Sequence, residues 1–498
     1  MNVNPITRLD YPDPDVIRVE DTYYMVSTTM HFMPGCEILQ SFDLVHWEHA
    51  TYVYETLDHT DAQQLKSGQN IYGQGMWAAS LRYHEGRFYI CFVANDTRKT
   101  YLYTSEKIDG PWKKQLMEGF YHDGSLLFDE DGRNYIVYGN DEIWITELNE
   151  DLTAPKKDGL HRLLVSDHKN PELGYEGSHI QKINGYYYIF LIHSLRDRWM
   201  RTEACFYSDS LEGEFTGGDV LCDDRGYCGQ GVAQGGIVDT PDGKWYAMLF
   251  QDSGAVGRLP ILLPVTWKDH FPVFGQNGHV PEEIEVHSTR PGYIYQPLVG
   301  SDDFCNGLLP RWQFNHDPDP RYYHLDALQG TYTITTREVC TELTQAVNTL
   351  TQRMSYPSCA AEVTVDASAL KEGDVAGLCA FQGCYAAVGI TKHHGKYEVL
   401  MLDKKEDGIL DMTEGTVVES HQMDFRLEAD FCNMKDEARC YYRVNKGDWL
   451  PIGTVHKLYF KLDHFTGCRF GLFCYAAEET GGSACFRDFK YYDVDEIS

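Results

Sequence analysis

The stretch Asp10-Tyr-Pro-Asp-Pro-Asp-Val-Ile-Arg-Val-Glu-Asp-Thr-Tyr-Tyr24 is the first in the chain with a clear strand pattern, and it contains a hairpin. Two prolines remove backbone donors and hold the leader extended, ahead of two apolar strands joined by a Glu-Asp turn. The leader carries three acids, Asp10, Asp13 and Asp15. Acids crowded before a buried strand are costly unless they are hydrated, paired or used. Taken alone, the leader is compatible with a solvated Asp-Pro turn.

The same phrase, two turn residues followed by aromatic residues that open an apolar strand, occurs five times. It is found at residues 20–24, 85–89, 131–135, 184–188 and 242–246, with intervals of 65, 46, 53 and 58 residues between successive copies. Glu-Gly, Asp-Gly and Asn-Gly before alternating aromatic residues are hairpin signals. Five copies at a period near fifty residues, each with room for about four strands, predict a five-bladed β-propeller. A long β-sandwich with irregular hairpins is the alternative.

The pattern of the sequence changes near residue 300. Beyond Asp302 the phrase is absent, and short alternating strands follow one another, as in residues 331–335, 360–365, 386–390 and 469–473. Such strands over about two hundred residues predict a β-sandwich. We therefore predict an all-β protein with a propeller in residues 1–300 and a β-sandwich in residues 301–498.

Composition narrows the function. The net charge of −32 disfavours nucleic acid or an anionic membrane surface as a partner and suits a small neutral substrate. The first residues lack an apolar signal core, so we expect a cytoplasmic protein. Fifteen cysteines without a C-x-x-C pair indicate reduced thiols used as small core residues.

Three acids hold equivalent places in different repeats. Asp13, Asp123 and Glu176 each come shortly before an apolar strand that leads into a hairpin turn of the phrase. In a propeller these strand starts meet at one mouth, so we expect the three carboxylates to converge. Carboxylates at one mouth suit glycoside hydrolysis, in which an acid protonates the leaving oxygen and a base activates water. Each acid taken singly is equally compatible with a turn or a solvated surface.

Four motifs together resemble glycoside hydrolase family 43. They are P-D-P-D-V-I-R-V at 12–19, W-A-A-S-L at 77–81, H-D-G-S-L at 122–126 and E-G-S-H-I at 176–180. Residues 312–318 and 350–353 resemble the C-terminal sandwich of the family's β-xylosidase-like branch. The resemblance implies a five-bladed propeller with a concanavalin-like sandwich, and β-xylosidase or α-L-arabinofuranosidase activity with inversion. It implies that Asp13 is the general base, Glu176 the general acid and Asp123 the modulator of the acid's pKa.

The resemblance also implies substrate-binding residues and shows departures. Trp77 would wall the sugar pocket, Phe32 would face it, and Arg258 would hydrogen-bond sugar hydroxyls; the alternatives are core packing for the aromatic residues and an exposed surface position for the arginine. The family's W-A-P-H and F-D-P-S are altered here to W-A-A-S and H-D-G-S. A histidine that contacts a channel metal in some relatives is replaced by Gln234, so we predict no metal and no other cofactor.

These observations predict an exo-acting enzyme that removes single pentoses from small oligosaccharides or glycosides. The sequence does not decide between β-D-xylosyl and α-L-arabinofuranosyl ends. The alternative from another class is a non-catalytic carbohydrate-binding propeller. We further expect the sandwich to pack rigidly on the propeller and to send a loop to the pocket's edge. The sequence leaves the oligomeric state open, and a homo-oligomer is compatible with it.

Overall fold

The computed structural model describes residues 2–493, and these residues form an all-β protein, as predicted. Helical structure within this range is confined to the 3₁₀ turns Lys66–Gly68, Leu343–Gln345 and Cys432–Met434. None of the helices in the described range has the length and apolar character needed to cross a membrane.

Five antiparallel sheets of four strands each form the first part of the chain, which confirms the five-bladed propeller. The blades comprise Asp15–Val19, Thr22–Ser27, Gly35–Ser41 and Glu48–Tyr54; Met76–His84, Arg87–Ala94, Lys99–Ser105 and Lys113–Met117; Ser125–Phe128, Asn134–Asn140, Glu142–Leu148 and His161–Ser166; Glu176–Ile183, Tyr186–Ser194, Arg201–Ser208 and Thr216–Leu221; and Val232–Asp239, Trp245–Asp252, Arg258–Lys268 and Phe271–Phe274.

The recurring phrase marks the turn between the first and second strand of each blade. In the fourth blade, Asn184 and Gly185 have φ of 51° and 83°, and Glu85 and Gly86 of the second blade have 47° and 78°. Positive φ at both central residues is the type I′ geometry that matches the twist of a two-residue hairpin. The sequence repeat therefore marks a hairpin in every blade, with this geometry in blades two and four and five-residue loops that have positive φ at Gly132 and Gly243 in blades three and five.

The first strands of neighbouring blades contact one another around a central channel. Asp15 lies in this channel, with Oδ2 at 2.7 Å from Arg82 Nη1 and Oδ1 at 3.1 Å from His179 Nδ1. The guanidinium also donates to Ser125 Oγ at 2.7 Å. Because a permanent cation already neutralises the buried carboxylate, the channel residues do not fit a divalent metal ion.

The N-terminal segment joins the first blade to the fifth. Asn2–Val3 pairs with Glu283–Ile284 as a separate two-stranded sheet. The side-chain amide of Asn4 donates to the carbonyl of Leu262 at 2.7 Å, and its oxygen accepts from the Leu262 amide at 3.0 Å. The segment thus holds the two ends of the ring together.

Two sheets packed face to face form the C-terminal sandwich. One contains Leu410–Met412, Lys396–Lys404, Ala386–His393, Val375–Phe381, Arg469–Tyr475, Leu350–Arg353 and Gln313–Asn315, with Thr416–Val418 beside Lys396–Lys404; the other contains Tyr323–Asp326, Thr331–Thr335, Ser483–Asp493, Ser358–Asp366, Gln422–Asp430, Glu437–Arg443 and Leu450–Lys457. Their inward-facing residues form a single large apolar core, in the manner of a β-sandwich.

A strand from the propeller completes the first sandwich sheet. Phe32–Met33, from the loop between the second and third strands of blade one, pairs with Gln313–Asn315. Close by, Arg353 of the sandwich contacts Glu37 of blade one at 2.8 Å, and both side chains are almost fully buried. The two parts are therefore joined by main-chain pairing and by a buried ion pair. The domain boundary near residue 300 stays a prediction.

Candidate active site

One cavity of about 580 Å³ lies at the mouth of the propeller and extends to the sandwich. Its lining includes five of the six predicted site residues, namely Asp13, Trp77, Asp123, Glu176 and Arg258. The three acids come from blades one, three and four. The structure thus brings together the carboxylates that the sequence pattern placed at equivalent positions.

Local backbone geometry aims the acids into this cavity. Asp13 and Asp123 have φ of 53° and 47°, and each lies two residues before the first strand of its blade. Aspartate is among the few residues that enter the left-handed region at modest cost. Glu176 begins its strand at a β-bulge, where the register shifts between Glu176 and His179. Bulges commonly redirect a side chain in this way next to active sites.

Gly177 is required at the bulge beside Glu176. Its φ is +65°, and a Cβ added there would lie 2.6 Å from the side chain of Gln234. A residue with a side chain would be strained at this φ and would have to displace the Gln234 side chain of blade five. The glycine of the E-G-S-H-I motif therefore permits both the bulge and the packing of Gln234 against it.

Asp13 is held on both carboxylate oxygens. Thr28 Oγ1 donates to Oδ2 at 2.6 Å, and Arg258 Nη1 donates to Oδ1 at 2.9 Å. Arg258 is buried, and its Nε and Nη2 atoms have no hydrogen-bond partner in the described part of the chain. Both nitrogens are buried, although Arg258 is among the residues that line the cavity.

Glu176, Asp123 and His122 form a second cluster opposite. Asn140 Nδ2 donates to Glu176 Oε2 at 2.8 Å, and His122 Nε2 lies 3.4 Å from the same oxygen. His122 Nε2 is also 3.6 Å from Asp123 Oδ2, which accepts the Gly177 amide at 3.0 Å. The imidazole therefore bridges the two carboxylates.

The cluster shifts the protonation of two of its members. Burial raises the pKa of Asp123 to about 6, supported by the charges of Glu176 and Asp13 and opposed by His122 and the Gly177 amide. Burial lowers the pKa of His122, but Asp123 and Glu176 outweigh this and raise it to about 9. At neutral pH His122 is therefore an imidazolium, because its pKa is about 9. Asp123 becomes mostly protonated once the pH falls below about 6.

One nitrogen of His122 and one oxygen each of Asp123 and Glu176 lie within 4.8 Å of one another, a spacing that could hold a cation. The carboxylate oxygens nearest the imidazole already accept from Asn140 and from the Gly177 amide. The prediction that the protein uses no metal or other cofactor stays a prediction.

Phe32 does not line the cavity, so the prediction that it faces the sugar pocket is wrong. It is 1% exposed and packs in an apolar cluster with residues of the sandwich, including Phe381 and Leu343. The guanidinium of Arg469 lies 3.5 Å from its ring centre. Its backbone pairs with Gln313–Asn315, and this pairing fixes the side chain at the junction of the two domains.

The sandwich supplies a wall of the cavity that motif matching missed. Phe460, Lys461, Leu462 and Phe465 line it from one loop. The Phe465 ring centre lies 5.5 Å from that of Trp77 and 4.3 Å from the Arg258 guanidinium. A loop at the pocket's edge was expected, but nothing in its sequence marked these residues. Ala78 and His122 lie within the quoted motifs, and Gln234 was named only as the replacement of a histidine, but none of the three was predicted to line the cavity. The remaining lining residues, which lie outside the motifs, are Asn140, Glu172, Leu173, Trp199, Arg201, Gln230, Asp252, Gly254 and Met434.

Comparison with known proteins agrees with this architecture. Residues 3–272 match the family model "Glycosyl hydrolases family 43", and residues 301–492 match "Beta xylosidase C-terminal Concanavalin A-like domain". A solved structure described as a bifunctional GH43-CE protein of Bacteroides eggerthii is 42% identical, with a TM-score of 0.93 over 100% of this chain. This chain covers 64% of the length of that protein.

Two curated relatives show the range of names among similar proteins. A "Beta-xylosidase" of Formosa agariphila is 27% identical over 99% of this chain and 89% of its own length. A "Non-reducing end alpha-L-arabinofuranosidase" of Bacteroides ovatus is 24% identical over 82% of this chain and 79% of its own length. With its propeller, its sandwich and both family models matched, the chain belongs to glycosyl hydrolase family 43 and carries the concanavalin A-like C-terminal domain of β-xylosidases.

Proposed function

We propose that the protein is an exo-glycosidase that hydrolyses terminal β-D-xylosyl or α-L-arabinofuranosyl residues of small glycosides with inversion. Family 43 comprises inverting glycosidases. The observation that carries the proposal is the convergence of Asp13, Asp123 and Glu176 in one cavity. An inverting mechanism needs a base and an acid on opposite sides of the sugar, with room for a water molecule.

Asp13 is the base in this proposal. Thr28 and Arg258 hold its two oxygens, so the carboxylate keeps one orientation towards a water molecule in the cavity. The free donors of Arg258 are placed to bind sugar hydroxyls, which would fix the sugar relative to the base. Trp77 and Phe465 offer apolar faces to the sugar ring.

Glu176 is the acid, and Asp123 modulates it. Asn140 and His122 orient the Glu176 carboxyl from one side. The raised pKa of Asp123 keeps a proton in the Asp123–Glu176 pair at weakly acidic pH, next to the group that must donate one. When the leaving oxygen departs, Glu176 donates its proton, and Asp13 takes one from the attacking water.

The sandwich loop supports an exo mode of action. Phe460 to Phe465 rise beside Trp77 and border the cavity where a longer glycan would otherwise continue. A pocket bordered in this way suits a single terminal sugar. Short glycosides are therefore the proposed substrates.

A side-by-side assay tests the proposal. The purified protein is incubated with 4-nitrophenyl β-D-xylopyranoside and with 4-nitrophenyl α-L-arabinofuranoside, and NMR follows the first-formed sugar. We expect hydrolysis of at least one substrate, with release of the opposite anomer. Retained configuration would contradict the assigned roles. Pentose binding without hydrolysis of either glycoside would favour the non-catalytic carbohydrate-binding propeller.

The cytoplasmic location remains part of this proposal. All fifteen cysteines lie in the described range and are free, and nine of them are buried. Free thiols in this number suit a reducing compartment. Cell fractionation with an antibody to the protein tests the location.

A further inference from the structure

The leader carries three acids, and the proposed mechanism uses only Asp13. Asp15 belongs to the channel network with Arg82 and His179. Asp10 is also buried, at 5% exposure, and it has a different set of partners. A buried carboxylate is costly unless it is well bonded, so its contacts indicate what it is for.

Asp10 accepts two backbone amides from opposite domains. Its Oδ1 accepts the amide of Arg258 at 2.7 Å, and its Oδ2 accepts the amide of Gly467 at 2.8 Å. Arg258 belongs to blade five, and Gly467 ends the sandwich loop that walls the cavity. Arg353 Nε donates to the Asp10 carbonyl at 2.9 Å and fixes the leader itself.

Both amides belong to segments that carry residues of the pocket. Arg258 is the residue whose side chain holds Asp13 at 2.9 Å. Gly467 lies two residues after Phe465, whose ring covers that same guanidinium at 4.3 Å. One carboxylate therefore ties the base, the arginine that orients the base and the aromatic wall to a common point.

The main chain is shaped to receive this carboxylate. Gly257 has φ of +106°, and a Cβ there would lie 2.3 Å from Asp10 Oδ1. A Cβ on Gly467 would lie 2.1 Å from the Val256 carbonyl oxygen and 2.7 Å from Asp10 Cβ. Both of these loop segments approach Asp10 as closely as only glycine permits.

We propose that Asp10 is a positioning residue that holds the Phe465 wall of the sandwich in register with Arg258 and Asp13 of the propeller. The proposal rests on the function given above, because it assigns Asp10 a task within that pocket. Asp10 does not contact the sugar. It acts by fixing the distance between the wall and the arginine.

Asp10→Asn is the test variant. The amide keeps one acceptor oxygen, but its NH₂ group then faces a backbone N–H, so one of the two bonds is lost. We expect KM for the aryl pentoside to rise about tenfold, with kcat changed much less, because wall contacts are made in both the bound and the transition state. The affinity for free D-xylose or L-arabinose, followed by tryptophan fluorescence, should fall by the same factor.

Asp302→Asn is the matched control. Asp302 is a buried aspartate of the sandwich that also accepts two donors, the Phe304 amide at 2.7 Å and Trp312 Nε1 at 2.8 Å. Its substitution should lower Tm as Asp10→Asn does and leave KM and sugar affinity unchanged. If Asp10→Asn does not fold, Gly467→Ala displaces the same loop from the sandwich side and should raise KM likewise.

Phe465→Ala completes a double-mutant cycle. If Asp10 acts through the wall, Asp10→Asn should raise KM less than twofold in the Phe465→Ala background. The proposal is overturned if Asp10→Asn affects KM no more than Asp302→Asn does, or if its effect persists undiminished without Phe465. If the wild-type protein binds pentose but hydrolyses neither aryl glycoside, the proposed function is wrong. The role of Asp10 is still decided in that case, because the pentose affinities of the Asp10 and Phe465 variants can be compared in the same double-mutant cycle.

Discussion

The two sides of the pocket are built in different ways. On the propeller side, Asp13, Asp123 and Glu176 each lie at or just before the first strand of a blade. Positive φ sets the direction of the two aspartates, and a β-bulge sets that of the glutamate. On the sandwich side, Phe460 and Phe465 reach the cavity only because two domains dock. The groups assigned to bond cleavage are thus placed locally, whereas the enclosure of the sugar depends on long-range contacts.

Removing the sandwich should have the largest effect, because it eliminates one of the two sides of the pocket. Truncation at residue 300 strips the Phe465 wall and leaves Phe32–Met33 and its apolar neighbours without their cover. We expect an insoluble or inactive propeller, because exposed apolar surface promotes aggregation. Soluble yield and aryl pentosidase activity are measured beside the full chain. A soluble, active propeller would contradict this and would favour a sandwich that serves as an independent binding module.

On the propeller side, alanine variants separate the acid from the base. Glu176→Ala should lose about 10²- to 10⁴-fold in kcat/KM on substrates with poor leaving groups and much less on activated aryl glycosides, which need little protonation. Asp13→Ala should fail on both. Glu150→Ala, which changes an exposed acid outside the cavity lining, is the control and should stay near wild type. Equal losses on both substrates for Glu176→Ala would rule it out as the acid.

His122→Phe tests the electrostatics of the acid cluster on the propeller side of the pocket. The imidazolium, with a pKa of about 9, lies 3.4 Å from Glu176 and 3.6 Å from Asp123, and its charge lowers the pKa of Asp123. Without it, the carboxylate pair should keep its proton to higher pH, so the alkaline limb of kcat/KM should move up by about one pH unit. His46→Phe, which removes a surface partner of Asp43, should leave the profile unchanged. A limb that stays in place or moves down would show that His122 has no such role.

Acid should lower the stability of the junction between the propeller and the sandwich, and this effect should be smaller than those of the variants above. Burial lowers the pKa of His31 and His316 well below the ordinary value and lowers that of His464 to about 4. The folded state keeps these rings neutral, whereas the unfolded chain binds protons below pH 6.5. Stability should therefore be complete above pH 6.5 and decline as the pH falls towards 4.

His31→Phe tests this acid sensitivity. The ring nitrogens of His31 have no partner in the described range, so phenylalanine removes the titration and loses no hydrogen bond there. Thermal melts at pH 7.5 and 5.5 should show a smaller drop in Tm for the variant than for the wild type, by about 2 °C. An identical drop in both proteins would mean that His31 does not contribute.

Much of the fold and the placement of the acids could be predicted because both are locally encoded. The Asn184-Gly185 turn and its counterparts are visible as dipeptides, and the three acids lie seven or eight residues before such a turn. The bulge at Glu176 and the neighbour that makes Gly177 necessary are not visible, since both depend on an adjoining blade. Phe32 failed for the same reason: its loop follows a blade-one strand and suggests a pocket position, yet a partner strand at Gln313–Asn315 decides its place.

The two-residue strand Phe32–Met33 also has a consequence for synthesis. It is translated before Gln313–Asn315 and Arg469–Tyr475, the strands that the receiving sheet needs. Until those strands are made, blade one keeps an uncovered apolar edge. A nascent chain stalled before residue 475 should therefore engage chaperones, and circular permutation should keep Phe32–Met33 and Gln313–Asn315 in one chain.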